Sequence, residues 1–287
     1  MVPFDKGDKM EELKGKRIDV LDKGFVELVD YMGSDELIVN AARVSYGGKK
    51  KNSDKSLIEY LIRNDHTSPF EMVEFIFRIK VPIFVARQIF RHRTASFNEI
   101  SGRYTVYEEE FFVPKDYRKN TKKNRQSSEV IDILDENLIK EIKNSFKGSF
   151  ALYKKLLDYG LARELARVVL PLSTYTLFYY KQDLKNLLHF LKLRLDYHAQ
   201  KEIREVANAM LYFVKQVVPI TWEAFEKYKL KKVEITEVDL QSLPKEKQNL
   251  LMAILEDLPN YLPSSTRKEE LISQLDTLFG QDGGEAS

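Results

Sequence analysis

Between Arg87 and Arg103 the chain reads Arg-Gln-Ile-Phe-Arg-His-Arg-Thr-Ala-Ser-Phe-Asn-Glu-Ile-Ser-Gly-Arg. Four arginines and a histidine share this window with one acid, Glu99, so it carries +3 (four Arg less one Glu) in a chain whose formal net charge is only +2. A local excess of that kind needs a counter-charge. The guanidinium group is a planar fork of donors that matches phosphate or carboxylate oxygens. Gln, Asn and Ser in the same window can read neutral hydrogen-bonding groups, so a phosphorylated small molecule suits the mixture. Internal pairing with Glu71, Glu74 or Glu99 is the alternative.

Pro82 is placed to start a helix, where its missing N–H costs nothing. A helix from Pro82 to about Arg93 would put Gln88, Arg91 and His92 at i, i+3 and i+4, on one face. It would also set Arg87 and Arg91 one turn apart, a like-charge pair that opposes helix formation unless an anion lies near. Gly102 would let the backbone approach a ligand closely.

The totals narrow the chemistry. The chain has 287 residues and no cysteine, which excludes disulfides, Cys-ligated metal sites and any thiolate nucleophile. Four histidines (His66, His92, His189 and His198) do not sit at ligand-like spacings, so no metal site is expected. The charged N-terminus resembles no signal peptide and no long apolar run is present, which predicts a cytoplasmic protein without membrane contact. The near-neutral balance argues against nucleic acid as partner, although the Arg91–Arg103 stretch keeps that rival in view.

The surrounding pattern is mixed. Arg17–Leu21 predicts a short strand. Helices are predicted over Ser34–Ser45 (inward face Leu37, Ile38, Ala41, Val44) and Ser53–Arg63 (Leu57, Tyr60, Leu61). His66–Glu71 reads as a turn and Val73–Val81 alternates as a strand. Thr94–Gly102 reads as irregular, Tyr104–Val113 as extended and Lys115–Ser128, like Gly47–Ser53, as a basic loop. A long helix is predicted over Ile131–Tyr159, closed by Gly160, and a short one over Ala162–Leu170. Ser173–Tyr180 predicts a core strand. Asp183–Gln200 and Glu202–Val217 read as nearly continuous helices, followed by Thr221–Leu230. Beyond Lys231, helices are predicted over Pro244–Asp257 and Thr266–Phe279, with a disordered end from Gly280.

Arg91-His92-Arg93, seven residues and then Ser101 resembles the signature of the flavin-dependent thymidylate synthases. Gln88, Asn98, Glu99, Gly102, Arg103 and Tyr104 fit its extended form. His66–Glu71, Ala166–Pro171 and Leu193–Gln200 resemble three further signatures, so the likeness runs from about Arg17 to Leu230. It implies an α+β fold, a mixed or antiparallel sheet flanked by helices, as a catalytic domain over residues 17–230, with a lead over 1–16 and a helical extension over 231–287. It implies reductive methylation of deoxyuridine monophosphate to thymidylate, with methylenetetrahydrofolate as carbon donor, FAD carrying hydride from NADPH, and a homotetramer with shared active sites. The missing cysteine fits, because hydride from a flavin removes the need for a protein nucleophile.

By the same resemblance, Ser68, Arg91, His92, Arg93 and Glu99 match flavin-contacting positions. Gln88, Arg91, Glu99, Ser101, Gly102, Arg103, Arg167 and Arg194 match positions that hold the nucleotide. Arg194 is the catalytic candidate, a fixed cation beside the uracil ring. Asp183, Lys185 and His189 stand where the family often has Asn, Arg and Asn on the adenine side of the flavin. Asp183 has a second possible use, capping the helix that follows it.

Overall fold

The alternation around residues 74–82 becomes the middle of a sheet. In the computed structural model, which describes residues 12–45, 47–48, 53–115, 117–120, 128–130, 135–231 and 242–257, β3 (Glu74–Pro82) buries Phe75, Phe77 and Ile79 completely on one face. It pairs antiparallel with β2 (Gly24–Met32) on one side and β7 (Tyr175–Asp183) on the other. β1 (Arg17–Val20) and β4 (Ser96–Glu99) form the edges, giving the order β1-β2-β3-β7-β4, antiparallel throughout. A separate hairpin joins β5 (Arg118–Asn120) and β6 (Ser128–Val130).

One hydrophobic cluster gathers the inward face of this sheet with α1 (Asp35–Val44), α2 (Asp54–Arg63), α3 (Ile83–Ile89), α6 (Leu184–Arg194), α7 (Lys201–Val217) and α8 (Pro219–Phe225). A sheet with one apolar face needs such a cover, and the result is the expected α+β architecture. A second, smaller cluster joins Phe111 to Phe150 and Tyr153 of α4 (Glu136–Asp158) and Ala166 of α5 (Arg163–Ala166). Gly160, with φ of +91°, ends α4 in the left-handed region that favours glycine. The chain divides into two compact units, Met1–Lys231 and Lys232–Ser287. In the second, α9 (Lys245–Asp257) is described; the helix expected over Thr266–Phe279 and the end from Gly280 lie outside the described residues. So do most of Met1–Lys16 and parts of the two basic loops.

Several expectations are corrected. β2 has no counterpart in the sequence reading: its register shifts between Leu28 and Asp30, and a bulge breaks the two-residue period by which a strand is recognised. The buried face of α1 is Asp35, Ile38, Val39 and Ala42, while Val44 is 76% exposed. In α2 Tyr60 points outward and Ile58, Leu61 and Ile62 point in. α3 stops at Ile89, well before Arg93. Ser96–Glu99 is a strand, too short and polar to announce itself, ordered by pairing with Phe178–Lys181 of β7. Tyr104–Val113 forms no strand; Phe111 makes one isolated bridge to Thr174. Asp183–Gln200 is broken after Arg194, where Asp196 accepts the His198 main-chain N–H at 2.8 Å.

Asp35 shows how distant segments are joined. α8 begins at Val218 with no side-chain cap of its own. The Asp35 carboxylate supplies one from α1, accepting the N–H groups of Ile220 and Thr221, each at 2.9 Å, and the Thr221 hydroxyl at 2.6 Å. Two N–H groups that a helix start leaves unpaired are thereby satisfied in a buried place. Asp35→Ala is expected to cost on the order of 3 kcal/mol, because both would lose their acceptor. Asp35→Asn, which keeps one acceptor, should cost less, and urea unfolding of the two variants checks the order.

Candidate active site

The arginine-rich window leaves the helix sooner than its sequence suggests because Phe90 is captured. Its ring stacks edge-on against Phe97 of β4 at 4.8 Å and Phe178 of β7 at 4.9 Å. The next residues turn back toward the sheet, with His92 N–H bonded to the Ile89 carbonyl at 3.0 Å and the Thr94 hydroxyl accepting from Gln182 at 2.8 Å. Arg91 and His92 therefore do not share a helix face with Gln88. Arg91 and Arg93 point outward, while His92 between them is buried, edge-on to Phe190 at 4.7 Å.

This inward histidine meets Arg194, the last residue of α6. Arg194 Nε donates to His92 Nε2 at 3.1 Å and Nη2 donates to the Gln88 carbonyl at 3.4 Å. The Gln88 side-chain amide donates in turn to Gln200 Oε1 at 2.5 Å. Gln88, Arg194, His198 and Gln200 line a cleft of about 1010 Å³. Burial, then the neighbouring charges of Arg194 and His189, push His92 down to about 4. Its ring is neutral at ordinary pH, with the proton on Nδ1 and Nε2 free to accept. Burial, and then the charge of Arg91, also draw Arg194 below the usual guanidinium value, but a guanidinium keeps its proton at any working pH.

A second group forms where β4 runs out. Glu99 accepts the Thr176 hydroxyl of β7 at 2.6 Å. The Ser101 hydroxyl accepts the Arg103 N–H at 3.2 Å, and its carbonyl closes the turn onto Tyr104 and Thr105. Arg103 pairs with Glu164 at 3.1 Å. Gly102 is required here by packing within the protein: a Cβ at that position would lie 2.6 Å from Tyr107 Cε2 and 2.9 Å from Arg167 Cδ. The backbone approach assigned to a ligand is thus made to the stem of Arg167. Arg167, just past α5, donates through Nε to the Glu164 carbonyl at 3.3 Å.

Ser68, Asp183 and Lys185 lie apart from both groups in their contacts, whereas the His189 ring stands 6.3 Å from that of His92. Ser68 opens a short 3-10 turn and is exposed. Asp183 uses both carboxylate oxygens on Asn186, at 3.0 Å to N and 2.7 Å to Nδ2, and so caps α6. Lys185 pairs with Glu71 at 2.9 Å, which raises its pKa. Lys185 and His189 line a pocket of about 430 Å³ floored by Phe70, Leu188 and Phe225.

Residues 27–220 match the family described as thymidylate synthase complementing protein. The chain belongs to this family. A Thermus thermophilus protein named flavin-dependent thymidylate synthase is 54% identical over 228 residues, spanning 79% of this chain and 84% of that one. One of the same name from Treponema denticola is 49% identical over 235 residues, spanning 79% and 88%. Among solved structures, the UMP/dUMP methylase PolB of Streptomyces cacaoi, bound with 5-Br dUMP, superposes with a TM-score of 0.67 at 37% identity, covering 74% of this chain and 98% of that one.

Within this family member the carboxylates offered for internal pairing are used elsewhere. Glu71 holds Lys185, Glu74 holds Lys181 at 2.8 Å, and Glu99 holds Thr176. Arg87, Arg91 and Arg93 are exposed and make no ion pair among the described residues. The internal-pairing alternative is therefore overturned for these three, and the cations stay open to an anionic ligand. Three residues that the sequence did not single out in these roles emerge from the contacts. Thr176 fixes Glu99, Gln200 fixes Gln88, and Tyr107 packs on Gly102 beside Arg167. Only Gln200 lay within a recognisable motif; Thr176 and Tyr107 are placed by bonds between residues 77 and 46 positions apart. Among the described residues no group of His, Asp and Glu is placed to hold a metal ion.

The neutral His92 has a measurable consequence. Its folded value, about 4, lies below the ordinary 6.5. Between those pH values the unfolded chain takes up a proton that the folded chain refuses. Stability from this residue is therefore full above about 6.5 and falls as pH drops toward 4, by up to about 3 kcal/mol. In His92→Gln, which keeps an acceptor that does not titrate, that loss should vanish. Unfolding free energies of both proteins at pH 7 and pH 4.5 measure it; a difference independent of pH would show that His92 is not held neutral.

Proposed function

We propose that the protein is a flavin-dependent thymidylate synthase, converting deoxyuridine monophosphate to thymidylate with methylenetetrahydrofolate as carbon donor and NADPH as reductant of a bound FAD. The observation that carries this is Arg194 at its cleft, with the exposed Arg91 near enough to act on it, and with Arg87, Arg91 and Arg93 in no ion pair among the described residues. A diphosphate cofactor and a phosphorylated substrate supply the anions that the protein withholds. The names of the relatives and of the structural neighbour point the same way. Nothing favours a nucleic-acid role for Arg91–Arg103: the net charge is +2 and no relative named above is a nucleic-acid-binding protein.

The residues fit a flavin. Arg91, Arg93, Ser68 and Glu99 would hold it, with His92 supporting the site from beneath, and Lys185 and His189 facing its adenine end. Gln88, Arg91, Glu99, Ser101, Gly102, Arg103 and Arg167 would hold the nucleotide. Bound FAD supplies the hydride that a chain without cysteine cannot replace by thiolate attack. Arg194, oriented through His92 and the Gln88 carbonyl, donates to the uracil carbonyl and ring nitrogen as negative charge develops there, and pre-orientation makes that donation effective. A homotetramer with shared sites accounts for the exposed apolar side chains Tyr104, Val168 and Leu172 around the second group. No helix among the described residues is long and apolar enough to cross a membrane, and a cytoplasmic location is part of the proposal.

The purified protein should be yellow, with flavin absorbance that bleaches on adding NADPH. A colourless protein that takes up no FAD on incubation would defeat the proposal. Arg194→Ala should retain the yellow colour yet raise the barrier to thymidylate formation by on the order of 3 kcal/mol. Turnover at the wild-type rate in that variant would remove Arg194 from the chemistry.

A further inference from the structure

Tyr107 belongs to none of the recognised signatures, yet it occupies a built position. Its main-chain N–H donates to the Tyr153 hydroxyl at 3.2 Å, and Tyr153 is fully buried in α4. Its half-buried side chain packs on the cluster of Phe111, Phe150 and Ala166. Its ring edge and the Arg167 guanidinium close on the same point over Gly102: a Cβ there would stand 2.6 Å from Tyr107 Cε2 and 3.0 Å from Arg167 Nη1. Arg167 Nε donates to the Glu164 carbonyl at 3.3 Å, and the guanidinium is among the groups that act on the Tyr107 phenol.

We propose that Tyr107 is a positioning residue, which seats the Arg167 guanidinium before the nucleotide arrives so that its remaining donors face the substrate's phosphate. The inference rests on the reading of Arg167 as a nucleotide-holding residue. Arg167 is exposed, and an exposed arginine samples many rotamers whose loss weakens binding. Here its stem crosses a glycine that leaves room for it, Glu164 takes its Nε, and the phenol, beside its Nη1 over Gly102, is placed to take a further donor. Burial, with the nearby Glu99 carboxylate, raises the phenol's pKa, so the hydroxyl stays neutral. A neutral hydroxyl accepts from the guanidinium without cancelling the charge that a phosphate needs, which a carboxylate in the same place would do.

The test is Tyr107→Phe in the full-length holoenzyme, which removes one oxygen from an otherwise unchanged ring. KM for deoxyuridine monophosphate should rise about three- to tenfold, the range expected from releasing one long side chain, with kcat within about twofold. In an Arg167→Lys background, where there is no fork to seat, the same change should alter KM by less than about twofold. Crystals of wild type and Tyr107→Phe give a readout independent of turnover: Arg167 should occupy one rotamer in the first and several in the second. An unchanged KM with an unmoved Arg167, or an equal KM effect in both backgrounds, would overturn the proposal. Should the wild type make no thymidylate, the function proposed above falls, and the Arg167 rotamers alone still decide whether Tyr107 seats it.

Discussion

Cations set near one another without carboxylates repel, and in this protein Arg91 acts on Arg194 in that way. Two unit charges about 6 Å apart at an effective dielectric near 20 oppose each other by roughly 3 kcal/mol. The chain relieves this by leaving Arg87, Arg91 and Arg93 in solvent, where screening is strong, and by burying a neutral acceptor, His92, against Arg194. A charged residue in place of His92 would either cancel the field or add to the repulsion. A neutral imidazole does neither, and its hydrogen bond fixes the direction of the Arg194 fork.

The scaffold explains why this is tolerated. β3 and β7 are paired over nine residues; the inward face of β3 is aromatic and aliphatic, and that of β7 sets buried Thr176 and Gln182 on either side of Phe178 and Tyr180. Phe178 of β7 captures Phe90, Gln182 of β7 captures Thr94, and Thr176 of β7 captures Glu99. One strand thus anchors the window at three even-numbered positions, which share one face of the sheet. The local cost of the clustered arginines is offset by packing in residues that carry no charge, and the ligand-facing atoms remain open.

What was legible in the sequence divides along the same line. Period-two alternation survives in β3, and capping residues with 3.6-residue spacing survive in α2 and α4, because these elements are decided by near neighbours. β2 is hidden by its bulge, β4 by its brevity, and the end of α3 by Phe90, whose partners lie 7 and 88 residues away. At the site, Arg91-His92-Arg93 reads as one cationic unit, and of the three it is His92 that bonds to Arg194, which also reaches the Gln88 carbonyl. The fold nonetheless splits them, sending the two arginines out and the histidine in. A one-dimensional string holds no record of that choice, which depends on Phe190 and Arg194 about 100 residues later.

The three positions where this chain differs from the common family pattern, Asp183, Lys185 and His189, can be weighed by what holds them. Asp183 is fully engaged as a cap, so its role is to start α6 and thereby set where Arg194 ends it. Lys185 is only half-held, since an exposed ion pair with Glu71 contributes little, and an incoming phosphate could draw it away at small cost. His189 stands ring to ring with His92 at 6.3 Å, and a positive charge on one opposes a charge on the other. His189 lies in the middle of α6, so a ligand bound beside it would stand near the imidazole that orients Arg194.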